Sequence, residues 1–363
     1  MDKATPLVAD LLAFIAMEDG CTNAQFDEMA LRLFAHQFAA NTPFQSFCRL
    51  RGINTRNVKS WADIPAVPID AFKALPLRCE PPAPATDRIF MTSGTTRGGS
   101  MRGQHFHPLL DVYDLSMTRN FARRFMRGTE RMPMGILFPD EVAMPNSSLA
   151  HYLDLAKSAF GTQASHTFVT PQGIDLDGLW AALEAAERSG EPYALLGASF
   201  SFVHVIDALR QQGRSFRLPP GSRILDTGGY KGQSRELPLD AFYNELSQAL
   251  GVPRTHCINM YGMTELSTQF YDDGNAAVPS VKSGPHWIRS RLVDPVTGRT
   301  VPAGERGILV HCDLANFNSV TTILTEDVGL HAEGGFLLLG RAEGVEAKGC
   351  SLAVEEFARA TAA

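Results

Sequence analysis

The sequence predicts an α/β protein with a mostly parallel sheet flanked by helices, followed by a β-rich C-terminal portion. Short apolar runs alternate with amphipathic helical stretches between residues 88 and 261, as they do when helices connect parallel strands. From about residue 284 this alternation stops, and turn pairs such as Asp294-Pro295 and Thr297-Gly298 separate extended segments. The 363-residue length suits one large domain or two unequal lobes.

The pattern of residue types along the chain predicts four segments. Residues 1–85 hold two helices within residues 5–40 and then a proline-dense connection, where regular helix is disfavoured. Residues 86–283 form the predicted α/β core. Residues 284–340 form a β-rich subdomain, and residues 341–363 form a short C-terminal hinge and tail.

Within the core, strands and helices follow one another in a regular order. We predict strands at 88–91, 135–138, 166–170, 193–196, 222–226 and 255–261, and helices at 110–127, 147–160, 176–189, 199–212 and 239–250. Ligands of open α/β sheets bind at the carboxyl ends of the strands. Polar residues that directly follow these strands are therefore the first candidates for a functional site.

The composition argues against several classes of protein. A formal net charge of -6 does not suit a general nucleic-acid-binding surface. The six cysteines form no C-x-x-C pair and no zinc-like spacing, which favours reduced thiols and a cytoplasmic location. No uncharged apolar stretch of about 18 residues predicts a membrane span, and Met1-Asp2-Lys3 does not open a secretory signal.

The first candidate motif is a run of hydroxyl and glycine residues after the first core strand. Its members are Thr92, Ser93, Gly94, Thr95 and Thr96. Glycines let the backbone approach a phosphate closely, and successive N–H groups with hydroxyls form an anion-binding concavity. A flexible Ser/Thr/Gly linker would have the same composition, and no G-K-[ST] ending makes this a Walker loop.

The second candidate motif follows the strand that ends at residue 261. It consists of Tyr261, Gly262, Met263, Thr264 and Glu265. An aromatic ring can stack on a base, a hydroxyl can bind phosphate, and a carboxylate can hold Mg²⁺. The alternative is an ordinary strand-to-helix turn in which Thr264 is the N-cap.

The third candidate group lies towards the C-terminus. It contains Thr325-Glu326-Asp327, Gly340-Arg341 and Lys348-Gly349-Cys350-Ser351. An aspartate on a loop can accept both ribose hydroxyls, and a nearby Arg or Lys can bind phosphate or ribose oxygen atoms. Taken singly, each of these pieces is typical of a solvated turn.

Together, these motifs resemble in order and spacing those of the adenylate-forming superfamily of acyl-CoA synthetases, adenylation domains and luciferases. The resemblance spans roughly residues 88–356 and implies the fold of that superfamily's large N-terminal domain. It also implies ATP and Mg²⁺ as cofactors. It implies that residues 92–96 bind the phosphates, that Thr264 binds the α-phosphate and that Glu265 holds Mg²⁺. The adenine would lie near Tyr261, Gly262, Gly228 and Gly229. The ribose would bind Asp327, with Arg341 nearby.

The sequence departs from the superfamily pattern in two places. The first motif continues with Arg97-Gly98-Gly99-Ser100 instead of T-G-x-P-K-G, so Arg97 or Arg102 would have to supply the missing cation. The chain also ends soon after the hinge at Arg341. We therefore expect the small C-terminal lobe of most relatives, about 100 residues long, to be largely absent together with its adenylation lysine.

A short chain with these motifs resembles the LuxE-type acyl-protein synthetases, as do residues 145–149 and the helix after them. This resemblance implies that a carboxylic acid, a fatty acid, becomes an acyl-adenylate, passes to Cys350 and then to a partner reductase. We expect Lys348 to lower the pKa of the Cys350 thiol and favour the nucleophilic thiolate. A free cysteine is also commonly a small buried hydrophobic residue.

Two other functions remain open at this point. One is an acyl ligase that uses coenzyme A or a carrier protein as acceptor, with Cys350 structural. The other is a non-catalytic nucleotide-binding scaffold. His105 and His107 share one face of a strand after the first motif and could touch phosphate or substrate, but we expect them at the surface.

Overall fold

A computed structural model describes residues 6–79, 88–93, 102–230 and 232–361, and it confirms the predicted α/β class. The chain forms two compact units. Unit 1 comprises Met1–Arg119, Met263–Thr268 and Ser283–Ala363, and unit 2 comprises Asn120–Gly262 and Gln269–Lys282, each by its described residues.

The helices and strands of the described residues have the following bounds. The helices are α1 (Pro6–Ile15), α2 (Asn23–Ala40), α3 (Thr42–Leu50), α4 (Ala71–Ala74), α5 (Asp111–Phe121), α6 (Ser148–Phe160), α7 (Leu176–Ser189), α8 (Ser199–Gln211), α9 (Leu239–Leu250) and α10 (Gly344–Thr361). The strands are β1 (Val67–Pro68), β2 (Arg88–Met91), β3 (Gln104–His107), β4 (Met134–Leu137), β5 (His166–Thr167), β6 (Val169–Thr170), β7 (Gly173–Ile174), β8 (Ala194–Ala198), β9 (Arg223–Thr227), β10 (Cys257–Tyr261), β11 (Phe270–Tyr271), β12 (Val281–Lys282), β13 (Ile288–Val293), β14 (Arg306–Asp313), β15 (Thr322–Ala332) and β16 (Gly335–Arg341).

Unit 2 is built on a sheet with the strand order β11-β10-β9-β8-β4-β5. Strands β10, β9, β8, β4 and β5 are parallel, and β11 runs antiparallel to β10. Strands β4 and β8 are buried along their whole length, which suits strands covered by helices on both faces. The single strand predicted over 166–170 is instead two short strands that belong to different sheets.

The helices of unit 2 begin and end where the local sequence indicates. Asp175 caps α7 by accepting a hydrogen bond from the backbone N–H of Gly178, at 3.0 Å. Gly190 and Gly251 end α7 and α9 in the left-handed conformation, where a residue without a side chain is favoured. The predicted bounds of α7 and α9 are therefore confirmed.

Unit 1 contains an antiparallel sheet of β13, β14, β15 and β16. The short strand β1 joins this sheet in parallel with β15, so that Val67 lies beside Ile323 and Pro68 beside Leu324. N-terminal and C-terminal residues thus share one compact unit, although the sequence pattern assigns them to different predicted segments. The hairpin of β2 and β3 also belongs to unit 1.

Two helices of unit 1 pack together although they are distant in sequence. Helix α3 was not predicted; its start is marked by Asn41, whose side chain accepts the N–H of Phe44 at 3.2 Å. Phe357 of the last helix contacts Phe47 of α3, with ring centroids 5.1 Å apart. Arg51 then donates to the Glu356 carboxylate at 2.9 Å. Helix α10 is therefore docked on α3 by an apolar contact and an ion pair.

Among the described helices, none combines the length and the apolar composition needed to cross a bilayer.

Candidate active site

The first motif begins at the open end of the β2–β3 hairpin in unit 1. The Thr92 N–H donates to the Gly103 carbonyl at 3.0 Å, and the Gly103 N–H donates to Thr92 Oγ1 at 2.9 Å. Ser93 is exposed directly after Thr92. Of the other predicted phosphate-binding residues, Gly94, Thr95, Thr96 and the alternative cation Arg97 lie outside the described residues, whereas Arg102 is described and exposed.

The Glu265 carboxylate lies against this hairpin, within the same unit. A Cβ atom built on Gly103 would be 3.1 Å from Glu265 Oε1. The side chain is buried, with the residue only 3% exposed. Burial raises the pKa of Glu265 to about 7, although the cationic groups of Lys73 and Arg341 act to lower it. A carboxylate is thus held at the start of the predicted phosphate-binding motif.

Thr264 is held by a buried histidine. The Nδ1–H of His105 donates to the Thr264 carbonyl oxygen at 3.0 Å, because a carbonyl can only accept. Burial lowers the pKa of His105 to about 4, so the ring is neutral at pH 7. The Phe72 ring of α4 packs edge-on against His105, with centroids 5.8 Å apart, and the His107 ring lies 4.1 Å away. The expected surface location of both histidines is wrong, because packing around β3 encloses them.

The residues after Glu265 are anchored on the end of strand β14. Asp313 Oδ2 accepts the backbone N–H groups of Ser267 and Thr268 at 2.9 and 2.8 Å. Asp313 Oδ1 accepts the Thr268 hydroxyl at 2.7 Å. Asn316 donates to the Glu265 carbonyl at 2.8 Å. Burial raises the pKa of Asp313 to about 6, which these donors partly offset.

The predicted ribose-binding residues lie opposite each other on neighbouring strands. Asp327 on β15 pairs with Arg341 on β16 in the strand register. Arg341 Nη1 is 3.3 Å from Asp327 Oδ1, and Arg341 Nη2 donates to Glu326 Oε2 at 2.6 Å. The structure therefore brings Asp327 and Arg341 together, and it adds Glu326 to them.

Cys350 is buried on helix α10. Its Sγ lies 3.8 Å from the Thr325 carbonyl oxygen, and the residue is 5% exposed. Its neighbours are apolar core residues that include Val310, Leu324 and Val328.

The expected effect of Lys348 on this thiol is wrong. Burial raises the pKa of Cys350 to about 11, and the carboxylates of Glu326 and Glu346 raise it further, while Arg341 acts in the opposite direction. Lys348 itself is exposed on α10. The buried Cys350 thiol therefore keeps its proton, although Lys348 lies only two residues earlier.

A narrow crevice adjoins the Cys350 thiol. Its lining includes Glu326 and Asp70 as charged residues, together with Thr325 and Val354. Asp70 is ion-paired with Lys73, one turn later, at 2.6 Å. Two acidic residues therefore line the same crevice as the cysteine that the sequence singles out as the acyl acceptor.

In unit 2, two predicted adenine-binding pairs lie at the same sheet edge. Gly228 and Gly229 follow β9, and Tyr261 and Gly262 lie at the end of β10, its parallel neighbour. Gly228 has a φ of 72°, which favours glycine, and both it and Gly229 are exposed. Tyr261 is buried, and the centroid of its ring lies 5.9 Å from the centroid of the Phe270 ring.

A buried carboxylate supports this edge of unit 2. Asp226 accepts hydrogen bonds from Ser199 at 2.8 Å, Asn259 at 2.9 Å and Tyr243 at 3.0 Å. Burial raises the pKa of Asp226 to about 6. The sequence places Asp226 directly before Thr227-Gly228, but it does not show the donors, because they come from two helices and a neighbouring strand.

Sequence reasoning missed three residues of the unit 1 site. Gly103 allows the Glu265 carboxylate to approach, and Asp70 and Lys73 supply charges that act on its pKa. Asp70 and Lys73 have the i, i+3 spacing of a helical ion pair, but the surrounding prolines conceal the four-residue helix that begins after Asp70 and contains Lys73. Gly103 lies two residues before His105 and belongs to no recognised motif, so the sequence did not mark it as a site residue.

A family model and two relatives show which class of protein this chain resembles. The family model described as "Acyl-protein synthetase, LuxE" matches residues 10–358. Two relatives are each named long-chain-fatty-acid–luciferin-component ligase. The one from Vibrio harveyi is 24% identical over 83% of this chain and 77% of its own length. The one from Aliivibrio fischeri is 22% identical over 85% of this chain and 79% of its own length.

Solved structures show the same fold. A 2-hydroxyisobutyryl-CoA ligase in complex with 2-HIB-AMP and CoA has a TM-score of 0.62 and 15% identity, over 88% of this chain and 75% of that one. ATP-bound MatB from Rhodopseudomonas palustris has a TM-score of 0.51 and 19% identity over 70% of this chain. This chain covers 47% of the MatB chain, about half its length.

The predicted fold and the predicted class, an acyl-activating ligase, are therefore confirmed. The roles of individual site residues, the magnesium ion and the later acyl transfer remain predictions. Because the family model extends over nearly the whole sequence, the chain belongs to the LuxE acyl-protein synthetase family.

Proposed function

We propose that this chain uses ATP and Mg²⁺ to join a fatty acid to AMP, transfers the acyl group to Cys350 and passes it to a partner reductase or carrier protein. The observation that carries the proposal is the buried Glu265 carboxylate, which lies against Gly103 where the predicted phosphate-binding motif begins. The names of the two relatives, ligases of long-chain fatty acids, support a fatty acyl substrate.

The site suits a magnesium ion that is shared with a nucleotide. Mg²⁺ is commonly held by one or two carboxylates together with substrate phosphates. Across the described ranges, no group of three or more His, Cys, Asp or Glu side chains could hold a metal ion. Glu265 would hold Mg²⁺ together with phosphate oxygen atoms. When bound, the ion would neutralise charge on the triphosphate.

Adenylation then depends mainly on how the chain positions its two substrates. The Thr92 and Ser93 hydroxyls are assigned to the phosphates, and Thr264 is assigned to the α-phosphate. Asp327 and its partner Arg341 are assigned to the ribose. The substrate carboxylate forms a bond to the α-phosphorus, and the bond to pyrophosphate breaks. Positioning and charge stabilisation are the usual sources of rate enhancement in such a transfer.

A second candidate function is acyl transfer to coenzyme A or a carrier protein, with Cys350 as a core residue. The burial of Cys350 and its raised pKa favour this candidate. The thioester route remains the main proposal because Cys350 adjoins a crevice lined by charged side chains, and because the family consists of acyl-protein synthetases.

Two measurements test the proposal together. The first is ATP–pyrophosphate exchange with a panel of saturated fatty acids of increasing length. The second is intact-protein mass spectrometry of the same mixtures without coenzyme A. We expect acid-dependent exchange and a hydroxylamine-labile acyl adduct that maps to Cys350. Exchange without an adduct would favour the coenzyme A or carrier ligase. Absence of both, with ATP still bound, would favour a non-catalytic nucleotide-binding protein.

A further inference from the structure

The proposed transfer to Cys350 requires removal of a tightly held proton. Burial and two carboxylates raise the pKa of the thiol to about 11. At pH 7 the thiolate fraction would then be roughly one part in 10⁴. The Thr325 carbonyl oxygen, 3.8 Å from Sγ, can accept a hydrogen bond but cannot remove the proton. Another group must take the proton as the thiol reacts.

The acidic residue next to this contact is Glu326. It follows Thr325 on β15, so its backbone adjoins the carbonyl that contacts Sγ. Its side chain and Cys350 line the same crevice. Among the charged groups that act on the Cys350 pKa, Glu326 has the largest effect, as expected for a nearby carboxylate.

We infer that Glu326 is the general base that takes the Sγ proton while Cys350 attacks the acyl-adenylate. In this step the sulfur forms a bond to the acyl carbon, and the bond from that carbon to the phosphate oxygen breaks. AMP leaves with the electron pair of the broken bond, and Glu326 becomes a carboxylic acid. The Glu326 side chain, which is 31% exposed, then releases the proton to water. The inference rests on the proposed function, which supplies the acyl-adenylate.

The charges around Glu326 suit this role. Burial raises the pKa of the carboxyl group, and Asp70 and Asp327 raise it further, while Arg341 and Lys73 lower it. A raised pKa makes the carboxylate a stronger base. The Arg341 guanidinium donates to Oε2, which orients the carboxylate and leaves Oε1 as the oxygen to which we assign the proton.

Two other carboxylates near Cys350 are less suitable. Asp70 lines the crevice, but the carboxylates with the largest effects on the Cys350 pKa are those of Glu326 and Glu346, not that of Asp70. Glu346 lies one helical turn before Cys350 and is paired with Arg306 at 3.2 Å. Glu346 raises the thiol pKa as Glu326 does, but it is not part of the crevice lining. It therefore provides a matched control for purely electrostatic effects.

The test uses synthetic dodecanoyl-adenylate, which bypasses ATP and the adenylation step. Acylation of Cys350 is followed in a single turnover by rapid quench and intact-protein mass spectrometry, in the full chain and in Glu326→Gln, Glu326→Asp and Glu346→Gln. We expect Glu326→Gln to slow acylation by about 10²–10⁴-fold, the usual contribution of a general base. Glu326→Asp should retain part of the rate. Glu346→Gln should not slow it, because removal of that charge favours the thiolate.

The pH dependence separates a base from a structural residue. Without the base, the acylation rate of Glu326→Gln should rise with pH as the thiol ionises. The difference in rate between this variant and the unaltered chain should therefore shrink towards pH 10. A deficit that is constant with pH would indicate a misplaced helix and overturn the inference, as would a Glu326→Gln rate equal to or above that of the unaltered chain. Failure of the unaltered chain to acylate Cys350 would instead contradict the proposed function.

Discussion

The Cα atom of Gly103 lies so close to the Glu265 carboxylate that a Cβ atom there would be 3.1 Å from Oε1. The same Cβ atom would be 3.1 Å from Cγ2 of Thr92. Both distances are shorter than the separation of about 3.5–4 Å at which non-bonded atoms attract. The absence of a side chain at residue 103 thus lets the carboxylate and the start of the first motif meet.

Gly103→Ala should weaken adenylation. The added methyl group must displace either the Glu265 carboxylate or the Thr92 side chain by a few tenths of an ångström. We expect ATP–pyrophosphate exchange to fall about tenfold, which corresponds to about 1.4 kcal/mol in the barrier. The KM for MgATP should rise in the same assay. Exchange kinetics like those of the unaltered chain would show that the contact has no role in adenylation.

Glu265→Gln should have a larger effect, because it removes the charge assigned to Mg²⁺. We expect exchange to fall by about 10²–10³-fold, as when a transition-state charge partner is lost. Raising the Mg²⁺ concentration should restore part of the activity. The matched control is Glu18→Gln, which removes a carboxylate that is 82% exposed. Equal pyrophosphate release by the two variants would remove Glu265 from the mechanism.

Cys350→Ala should abolish the hydroxylamine-labile acyl adduct. Cys48→Ala and Cys312→Ala are matched controls, because both remove buried free thiols from the same unit. Peptide mapping after incubation with ATP, Mg²⁺ and the preferred acid should show the adduct in both controls. An adduct that persists in Cys350→Ala would move the acceptor to another residue. Acceptor-dependent AMP release that survives Cys350→Ser would instead favour a coenzyme A or carrier ligase.

Phe47→Ala should expose the Cys350 thiol. The Phe47 ring contacts Phe357 and helps to hold α10 on α3. Loss of a buried phenylalanine commonly costs about 3–5 kcal/mol. If the substitution lowers the free energy of local opening of α10 by only about 1.4 kcal/mol, the open population rises about tenfold. We therefore expect N-ethylmaleimide to alkylate Cys350 at least about tenfold faster. Phe202→Ala in unit 2 is the control, and an equal acceleration there would indicate general loosening.

His311→Asn should change how stability depends on pH. His311 is fully buried on β14, where its Nδ1 meets the Ser290 hydroxyl at 2.8 Å, and burial lowers its pKa to about 3. A histidine whose folded pKa is depressed contributes stability above its unfolded pKa of 6.5 and loses it as pH falls towards 3.

The difference in unfolding free energy between the unaltered chain and His311→Asn should therefore be constant above pH 6.5. Below that value it should decrease by about 1.4 kcal/mol per pH unit. Urea unfolding at a series of pH values, followed by tryptophan fluorescence, measures this difference. A difference that does not vary between pH 6.5 and 4 would contradict the burial of a neutral imidazole.

Much of the fold was readable from local patterns. Helices α7 and α9 have bounds equal to the predicted ones, because an Asp or Pro cap and a terminal glycine mark their ends. Helix α3 was not predicted, although Pro43 lies in its first turn, where proline is favourable. Strand β1 was missed because two residues carry no periodicity and pair only through a distant partner.

The candidate site was predictable in residue type but not in environment. Thr264 and Glu265 stood out as a motif, and Asp327 was found together with Arg341. The buried state of His105 and the high thiol pKa of Cys350 could not be read from the sequence, since burial, the main cause of both pKa shifts, depends on packing against residues far along the chain. Neighbours in sequence, such as Lys348, are a poor guide to the charges that a buried group experiences.

The anchoring of Ser267 and Thr268 on Asp313 has a consequence for how this enzyme can be divided. The second motif takes its position from a carboxylate some 45 residues later, at the end of β14. A fragment that stops near residue 283 would contain every residue of the first two motifs but not the support for Glu265. The β-rich portion therefore supports the second motif, and we expect the α/β core alone not to retain adenylation activity when it is moved into another protein.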